Sequence, residues 1–185
     1  MNILLPIREP RFAKSRLAGS LDDAQRHALY RRLVTRSVAV IQGHAADFSV
    51  YLLCPVLEQE AWGELANIVW VDDDHAGNLA CGLTQTLSAW KPPAAVLMPD
   101  LPLLSEPDLS AMLKQTQDLV WIPDRSGRGS NGMIWRGGPL PYLAFGRTNS
   151  MRVHLNACSA PRLYRQGLAW DVDTAADLEG LPEAP

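Results

Sequence analysis

The 185 residues are 47% hydrophobic, enough for one sizeable core and short for two, so a single domain over residues 1–180 with a frayed, Pro- and Ala-rich tail at 181–185 is expected. A net charge of −3 argues against a nucleic-acid binder, which needs a broad basic surface, and makes local clusters of cations the informative feature. Three scattered cysteines without CxxC spacing imply neither a disulfide framework nor a zinc site, and no apolar stretch approaches a membrane span, so a soluble protein of the reducing cytoplasm is expected.

Apolar runs at residues 2–7, 48–54, 67–71, 94–99 and 118–123 are rich in Val, Ile and Leu, are bounded by Pro, Asp or Gly, and predict short buried strands. Residues 22–42 place Ala24, Ala28, Leu29, Leu33, Val34, Val38 and Ile41 near helical spacing, with Arg26, Arg31, Arg32 and Arg36 mostly off that face. Residues 57–66, 77–90 and 106–117 are weaker helical candidates. Strand and helix alternating in this way predict an α/β domain with a doubly wound, mostly parallel sheet and helices on both faces. After Pro123 the pattern changes. Residues 132–136, 161–165 and 168–172 are short β candidates with one modest helix, 150–158, between them, so a mixed sheet with an antiparallel element is the natural reading.

Ligands of open α/β sheets lie beyond the carboxyl ends of the strands, where Asp72-Asp73-Asp74, Asp100 and Asp124 fall. Asp171 and Asp173 end the last apolar run. If the strand continues through Val172 they face the same side and, with Asp100, offer hard oxygens suited to Mg²⁺ or Mn²⁺. The alternative is that Asp173 caps a helix beginning at Thr174. The first strand runs into a loop carrying Arg8, Arg11, Lys14 and Arg16, which either cradles a polyphosphate or is a solvated basic loop. Residues 123–132 concentrate glycines, hydroxyls and cations, and their N–H groups with Ser130 and Asn131 suit an anionic substrate as well as they suit an exposed turn. No P-loop and no GxGxxG is present. A Gly and polar cluster over Phe145 to Ser150 precedes a helix whose N-terminus suits another anion, with Ser150 as its expected cap. His154 has no assignable acid partner or nucleophile and is expected to be structural. The cysteines are expected to be small packing residues.

Taken in order, Lys14-Ser15-Arg16-Leu17, Met98-Pro99-Asp100-Leu101-Pro102-Leu103-Leu104, Pro123-Asp124-Arg125 with Gly127-Arg128-Gly129-Ser130-Asn131, Phe145-Gly146, Ser150 with His154, and Asp171-Val172-Asp173-Thr174 with Asp177-Leu178 resemble the CofC family. These are the 2-phospho-L-lactate guanylyltransferases of deazaflavin-coenzyme (factor 420) biosynthesis. The resemblance implies a glycosyltransferase-A-like, Rossmann-related domain, GTP as donor, Mg²⁺ (or Mn²⁺) as metal, and a phosphorylated three-carbon acid as acceptor: phospholactate, phosphoenolpyruvate or 3-phosphoglycerate. It implies Asp100, Asp171 and Asp173 as metal carboxylates, with Lys14 and Arg16 at the triphosphate and Asp100, Lys14 and Arg16 as the catalytic set. Ser130, Gly146 and Ser150 fall at the acceptor positions, joined by Arg125 and Asn131 of the same glycine-rich loop, and Pro6, Arg8 and Gly77 fall on the nucleotide side. Ser130 stands where many members have Thr. One extra residue between Gly146 and Ser150 lets Asn149 compete for the place of Ser150, and Gly77-Asn78-Leu79-Ala80 only partly follows the family's run. Other nucleotidyltransferases of this fold, of molybdenum-cofactor or sugar-phosphate type, and a non-catalytic nucleotide-binding module are the alternatives. A homodimer is the default assembly.

Overall fold

Successive side chains of a strand point to opposite faces, and β1 (Asn2–Pro6) accordingly sends Ile3 and Leu5 into one apolar layer and Leu4 into another. In the computed structural model, which describes residues 1–44, 47–65, 67–73, 78–179 and 181, this strand is central to the sheet. Strands β2 (Ser49–Cys54), β3 (Val69–Asp72) and β4 (Ala94–Leu97) run parallel to it, with Ile3 opposite both Val50 and Ala95. Strand β5 (Leu119–Pro123) follows, and β6 (Ser130–Trp135) lies between β4 and β5, antiparallel to both. The six-stranded order is β3-β2-β1-β4-β6-β5. The mixed, mostly parallel sheet expected from the sequence is present.

Helix α1 (Asp23–Gln42) starts at a capping box in which Asp22 accepts from the Gln25 N–H and Gln25 accepts from the Asp22 N–H, at 2.8 and 3.0 Å. Its Tyr30, Val34, Val38 and Ile41 close one face of the sheet together with Leu109 and Met112 of α4 (Glu106–Leu113). Leu83 and Leu87 of α3 (Leu79–Ser88) and Met151 of α5 (Ser150–Ala157) close the other, over Trp121, Met133 and Trp135. Each of these fully buried aliphatic side chains contributes about 1.5–3 kcal/mol. A small satellite cluster joins Leu17, Leu29, Leu33 and Val172, with Leu178 and Leu181 against it. No helix among the described residues is long and apolar enough to cross a membrane.

Three expectations are corrected. The stretch 57–66 holds only α2 (Val56–Gln59) and a 3-10 turn at Glu60–Trp62, because Trp62 turns in, fully buried, against Tyr30. Residues 161–165 make a single bridge, Arg162 to Trp121, on the edge strand. Residues 168–172 are not a strand: Gln166–Ala169 form the helical turn α6, and the chain then runs irregularly to α7 (Ala175–Glu179). The neighbouring β6 already has a strand on each side, so this segment finds no ladder. Its carbonyls are satisfied by a side chain instead, Asn131 Nδ2 donating to Leu168 O at 3.2 Å and Ala169 O at 3.0 Å. The helix expected from residue 77 is described from Leu79, and Asp74, Gly77 and residues 182–185 lie outside the described residues.

Gly167 lets α6 seat on α4. A methyl there would overlap the Asp108 carboxylate and lie 2.6 Å from Leu103 O, while Asp108 is held by Ser105 Oγ and Arg165 at 2.5 and 2.7 Å. Gly167→Ala should therefore lower stability by about 1–3 kcal/mol, measured as a fall in the urea midpoint at unchanged slope.

Candidate active site

One edge of the sheet collects the ends of β1, β4 and β5 and the start of β6, and there a cleft of about 1100 Å³ opens. It is lined by Pro6, Arg8, Lys14, Arg16, Asp100, Arg125, Ser130, Asn131, Gly146, Ser150, Asp171 and Asp173. Every described residue that the family resemblance assigned to the site thus lines one cavity. Gly77 lies outside the described residues. Arg11 turns away to Glu9 at 2.7 Å and covers the Phe12 ring.

The loop after β1 bends at Lys14, whose backbone is left-handed (φ 56°, ψ 32°), and continues as a 3-10 turn at Ser15–Leu17. From α1, the Arg26 guanidinium donates to Ala13 O at 3.3 Å and steadies the residue before it. The Lys14 ammonium, with its side chain 4% exposed, donates to Asp100 Oδ2, to Val172 O at 2.5 Å and to Asp173 Oδ1 at 3.4 Å. Burial works to lower its pKa, but the charges of Asp100 and Asp173 outweigh it and hold the group above the ordinary lysine value. Arg16 binds the far side of Asp173 at 2.6 Å.

Asp100 sits on the turn after β4. Helix α1 fastens that turn: Ser37 Oγ donates to Pro99 O at 2.8 Å and Arg36 Nε to Pro102 O at 2.8 Å. Asp171 is held by Asn131 Nδ2 at 3.2 Å. Burial, with the charges of Asp100 and Asp173, raises its pKa to about 6. The two acids of the last loop therefore converge without the strand that the sequence suggested. Nor does Asp173 cap α7. Its carboxylate meets Lys14 and Arg16, and Asp177, inside the helix, reaches back to the residues before it, its Oδ2 accepting from the Asp173 N–H, the Thr174 N–H and the Thr174 hydroxyl at 3.0, 2.7 and 2.8 Å. Burial pushes the Asp177 pKa up, but those hydrogen bonds and Arg125 bring it below the usual carboxylate value.

The residues fit a hard cation. Among the described residues no three acidic, His or Cys side chains already share one metal position. What stands between Asp100, Asp173 and the Val172 carbonyl is the Lys14 ammonium, so these oxygens already gather around one positive charge. The oxygen-only donor set, with Asp171 short of compensating charge, matches Mg²⁺ or Mn²⁺ chemistry.

Across the cleft, the glycine-rich loop is folded on its own acid. Asp124 accepts from the Arg128 N–H at 3.0 Å and from Ser126 Oγ at 2.9 and 3.1 Å, and a side chain at position 129 would strike it at 2.6 Å. The amide of Arg128 is therefore turned to Asp124 rather than to the cleft. Arg125 pairs with Asp177 at 2.6 Å and covers the Trp170 ring at 4.2 Å, tying this loop to the acidic one. The expected cap at Ser150 is also corrected: Asn149 is the N-cap, without a side-chain hydrogen bond, and Ser150 is the first helical residue and buried. Gly146 takes φ +85°, a conformation that disfavours any other residue, where Leu79 approaches. His154 is fully buried between Trp121 and Phe145. Asp177 follows Thr174 at the three-residue interval of a capping box, the sequence signal for its role.

The fold is that of the nucleotidyltransferases and nucleotide-diphospho-sugar transferases. A protein from Desulfovibrio desulfuricans G20, assigned as a nucleotide-diphospho-sugar transferase, superposes with a TM-score of 0.70 at 15% identity, covering 96% of this chain and 84% of that one. Residues 1–179 match the CofC-like guanylyl transferases, and the chain belongs to that family of nucleotidyltransferase enzymes. It is 31% identical to the phosphoenolpyruvate guanylyltransferase of Chloroflexus aggregans over 96% of this chain and 95% of that protein. It is 27% identical to the 2-phospho-L-lactate guanylyltransferase of Natronomonas pharaonis over 96% and 83%.

Because Asp171 titrates near 6 when folded and near 3.8 when unfolded, the folded state binds more protons between those values. Its contribution to stability is consequently lost as pH rises from about 3.8 to about 6. Asp171→Asn should be more stable than the wild type by about 1–2 kcal/mol at pH 7.5 without divalent cation. The gain should shrink as the pH falls toward 4, read from urea denaturation at each pH.

Proposed function

We propose that this enzyme transfers the guanylyl group of GTP to the phosphate of a small phosphorylated three-carbon acid, phosphoenolpyruvate foremost, in deazaflavin-coenzyme (factor 420) biosynthesis. The products are pyrophosphate and a diphosphoguanosine of the acid. One observation carries the reading: Lys14 and Arg16, the acids Asp100, Asp171 and Asp173, and the Ser130, Gly146 and Ser150 group line a single cleft at the carboxyl edge of the sheet. Membership of the guanylyl transferase family supports the reaction type, and the Chloroflexus relative supports the acceptor.

A phosphate monoester, with a second pKa of about 6, is largely dianionic at neutral pH. It attacks the α-phosphorus of GTP without a general base, and none is needed in the cleft. The chain's task is alignment and charge. Asp100, Asp171 and Asp173 would hold the divalent cation, which when bound neutralises the transferring phosphate and the acceptor oxygens. Lys14 and Arg16 stabilise the departing pyrophosphate, with Pro6 and Arg8 on the nucleotide side. Ser130, Gly146 and Ser150 receive the acid, supported by Arg125 and Asn131. These last two act chiefly through protein contacts, since the Arg125 guanidinium pairs with Asp177 and the Asn131 amide nitrogen serves the 168–171 segment.

Asp100→Ala and Asp173→Ala should each reduce product formation by about two to three orders of magnitude while circular dichroism stays that of the wild type. Pyrophosphate release measured across four nucleoside triphosphates and the three acids should be confined to GTP, with phosphoenolpyruvate the best acceptor. Preference for another nucleotide, or full turnover by both variants, would overturn the assignment.

A further inference from the structure

His154 belongs to none of the groups that would touch nucleotide, cation or acid, yet its imidazole is held on every side. It is fully buried, stacked on Trp121 at 4.2 Å with the ring planes 4° apart and tilted against Phe145 at 4.8 Å. Both ring nitrogens are engaged. The Ala144 N–H donates to Nε2 at 2.7 Å, and Nδ1 lies 2.9 Å from Ser130 Oγ.

These two contacts fix the tautomer. A backbone N–H can only donate, so Nε2 must be the unprotonated nitrogen and the ring proton must sit on Nδ1. Nδ1–H then donates to Ser130 Oγ. A hydroxyl that accepts from one side still has its own proton to give. Ser130 Oγ makes no other hydrogen bond among the described residues, and the residue lines the cleft. Protonation of both nitrogens would set an N–H against the Ala144 N–H, and burial lowers the His154 pKa to about 4, so the neutral ring persists.

We infer that His154 is a positioning residue for the acceptor: it holds the Ser130 hydroxyl as a hydrogen-bond donor aimed at the anionic acid. The same ring anchors Ala144, two residues before Gly146, and stands on α5 one turn after Ser150. One imidazole thereby links the three segments that carry Ser130, Gly146 and Ser150. The inference rests on the proposed acceptor site, and its test separates the two.

In ¹⁵N-labelled wild-type protein, NMR should find the His154 proton on Nδ1 and Nε2 unprotonated between pH 6 and 8. An Nε2–H tautomer overturns the inference whatever the enzyme's substrate. In kinetics, His154→Gln and Ser130→Ala should each raise KM for the acid about tenfold, the size of one hydrogen bond. KM for GTP should stay within about twofold. The double variant should be no worse than Ser130→Ala, because both changes remove one contact. His154→Asn, whose amide nitrogen stands near the place of Nδ1, should keep most of the acid affinity. Multiplied defects in the double variant, or equal rises in both KM values, would reduce His154 to a packing residue. If the wild type guanylylates none of the acids, the functional reading falls, and the tautomer still decides the geometry.

Discussion

The buried ammonium of Lys14 is the contact on which the cleft depends. It joins the loop after β1 to the turn after β4, 86 residues away, and to the acidic loop near the carboxyl terminus, 158 and 159 residues away. Removing a lysine head group from water costs several kcal/mol, and its attraction to two carboxylates does little more than offset that. A left-handed backbone at the same residue adds about 1 kcal/mol of strain. Burial and backbone strain both oppose this lysine, and its contacts to Asp100 and Asp173 are what hold the cation in the cavity.

The acids are held by neighbours that do not themselves need to meet substrate. Asp100 is fixed from α1 through Ser37 and Arg36, Asp171 from β6 through Asn131, and Asp173 from α7 through Asp177. Each support comes from a different element. These contacts fix the backbone that carries Asp100 and Asp173 and the carboxylate of Asp171 itself. Arg125 closes the arrangement by pairing with Asp177, which ties the glycine-rich loop to the acidic loop.

Much of this was legible in the sequence, for reasons of local chemistry. The first five strands are runs of Val, Ile and Leu between breakers, and the alternation of strand and long helix allows few topologies. The carboxyl-edge rule then sufficed to place Asp100 and the cationic loop in one region, and the alternating acids Asp171 and Asp173 at the end of the last apolar run suggested the rest of the acidic group, as the family resemblance also implied. The failure at 168–172 has an equally local cause. Three apolar residues, Leu168-Ala169-Trp170, fit a helical turn as well as a strand, and the choice is made by the fit of Gly167 on Asp108 and by Asn131 reaching their carbonyls. Neither contact leaves a trace in spacing. The sequence placed Asp124 near the site and carried Asp177 and His154 only in the family motifs, without a role for any of them, because a lone Asp or His looks the same whether it organises a site or merely sits near one. Their importance lies in which amide or hydroxyl they meet.

The charge balance of the cleft makes sense of a protein that is acidic overall yet handles anions. Several of its carboxylates are satisfied internally: Asp177 is paired with Arg125 and hydrogen-bonded by the Thr174 donors, Asp124 is hydrogen-bonded by the amide and hydroxyl of its own loop, and Glu58 by the Glu9 N–H at 2.5 Å. Asp100, Asp171 and Asp173 remain, sharing the charges of Lys14 and Arg16, with Asp171 already displaced toward the protonated form. A polyphosphate approaching alone draws Lys14 and Arg16 toward itself and leaves three carboxylates facing its own negative charge. At separations of about 4 Å and an effective dielectric near 20, each such pair repels by about 4 kcal/mol. Under the proposed function, Asp100, Asp171 and Asp173 would hold a divalent cation that offsets this repulsion, leaving Lys14 and Arg16 for phosphate. The excess of carboxylates over cations at this point of the cleft is thus a physical reason for nucleotide and metal to bind together.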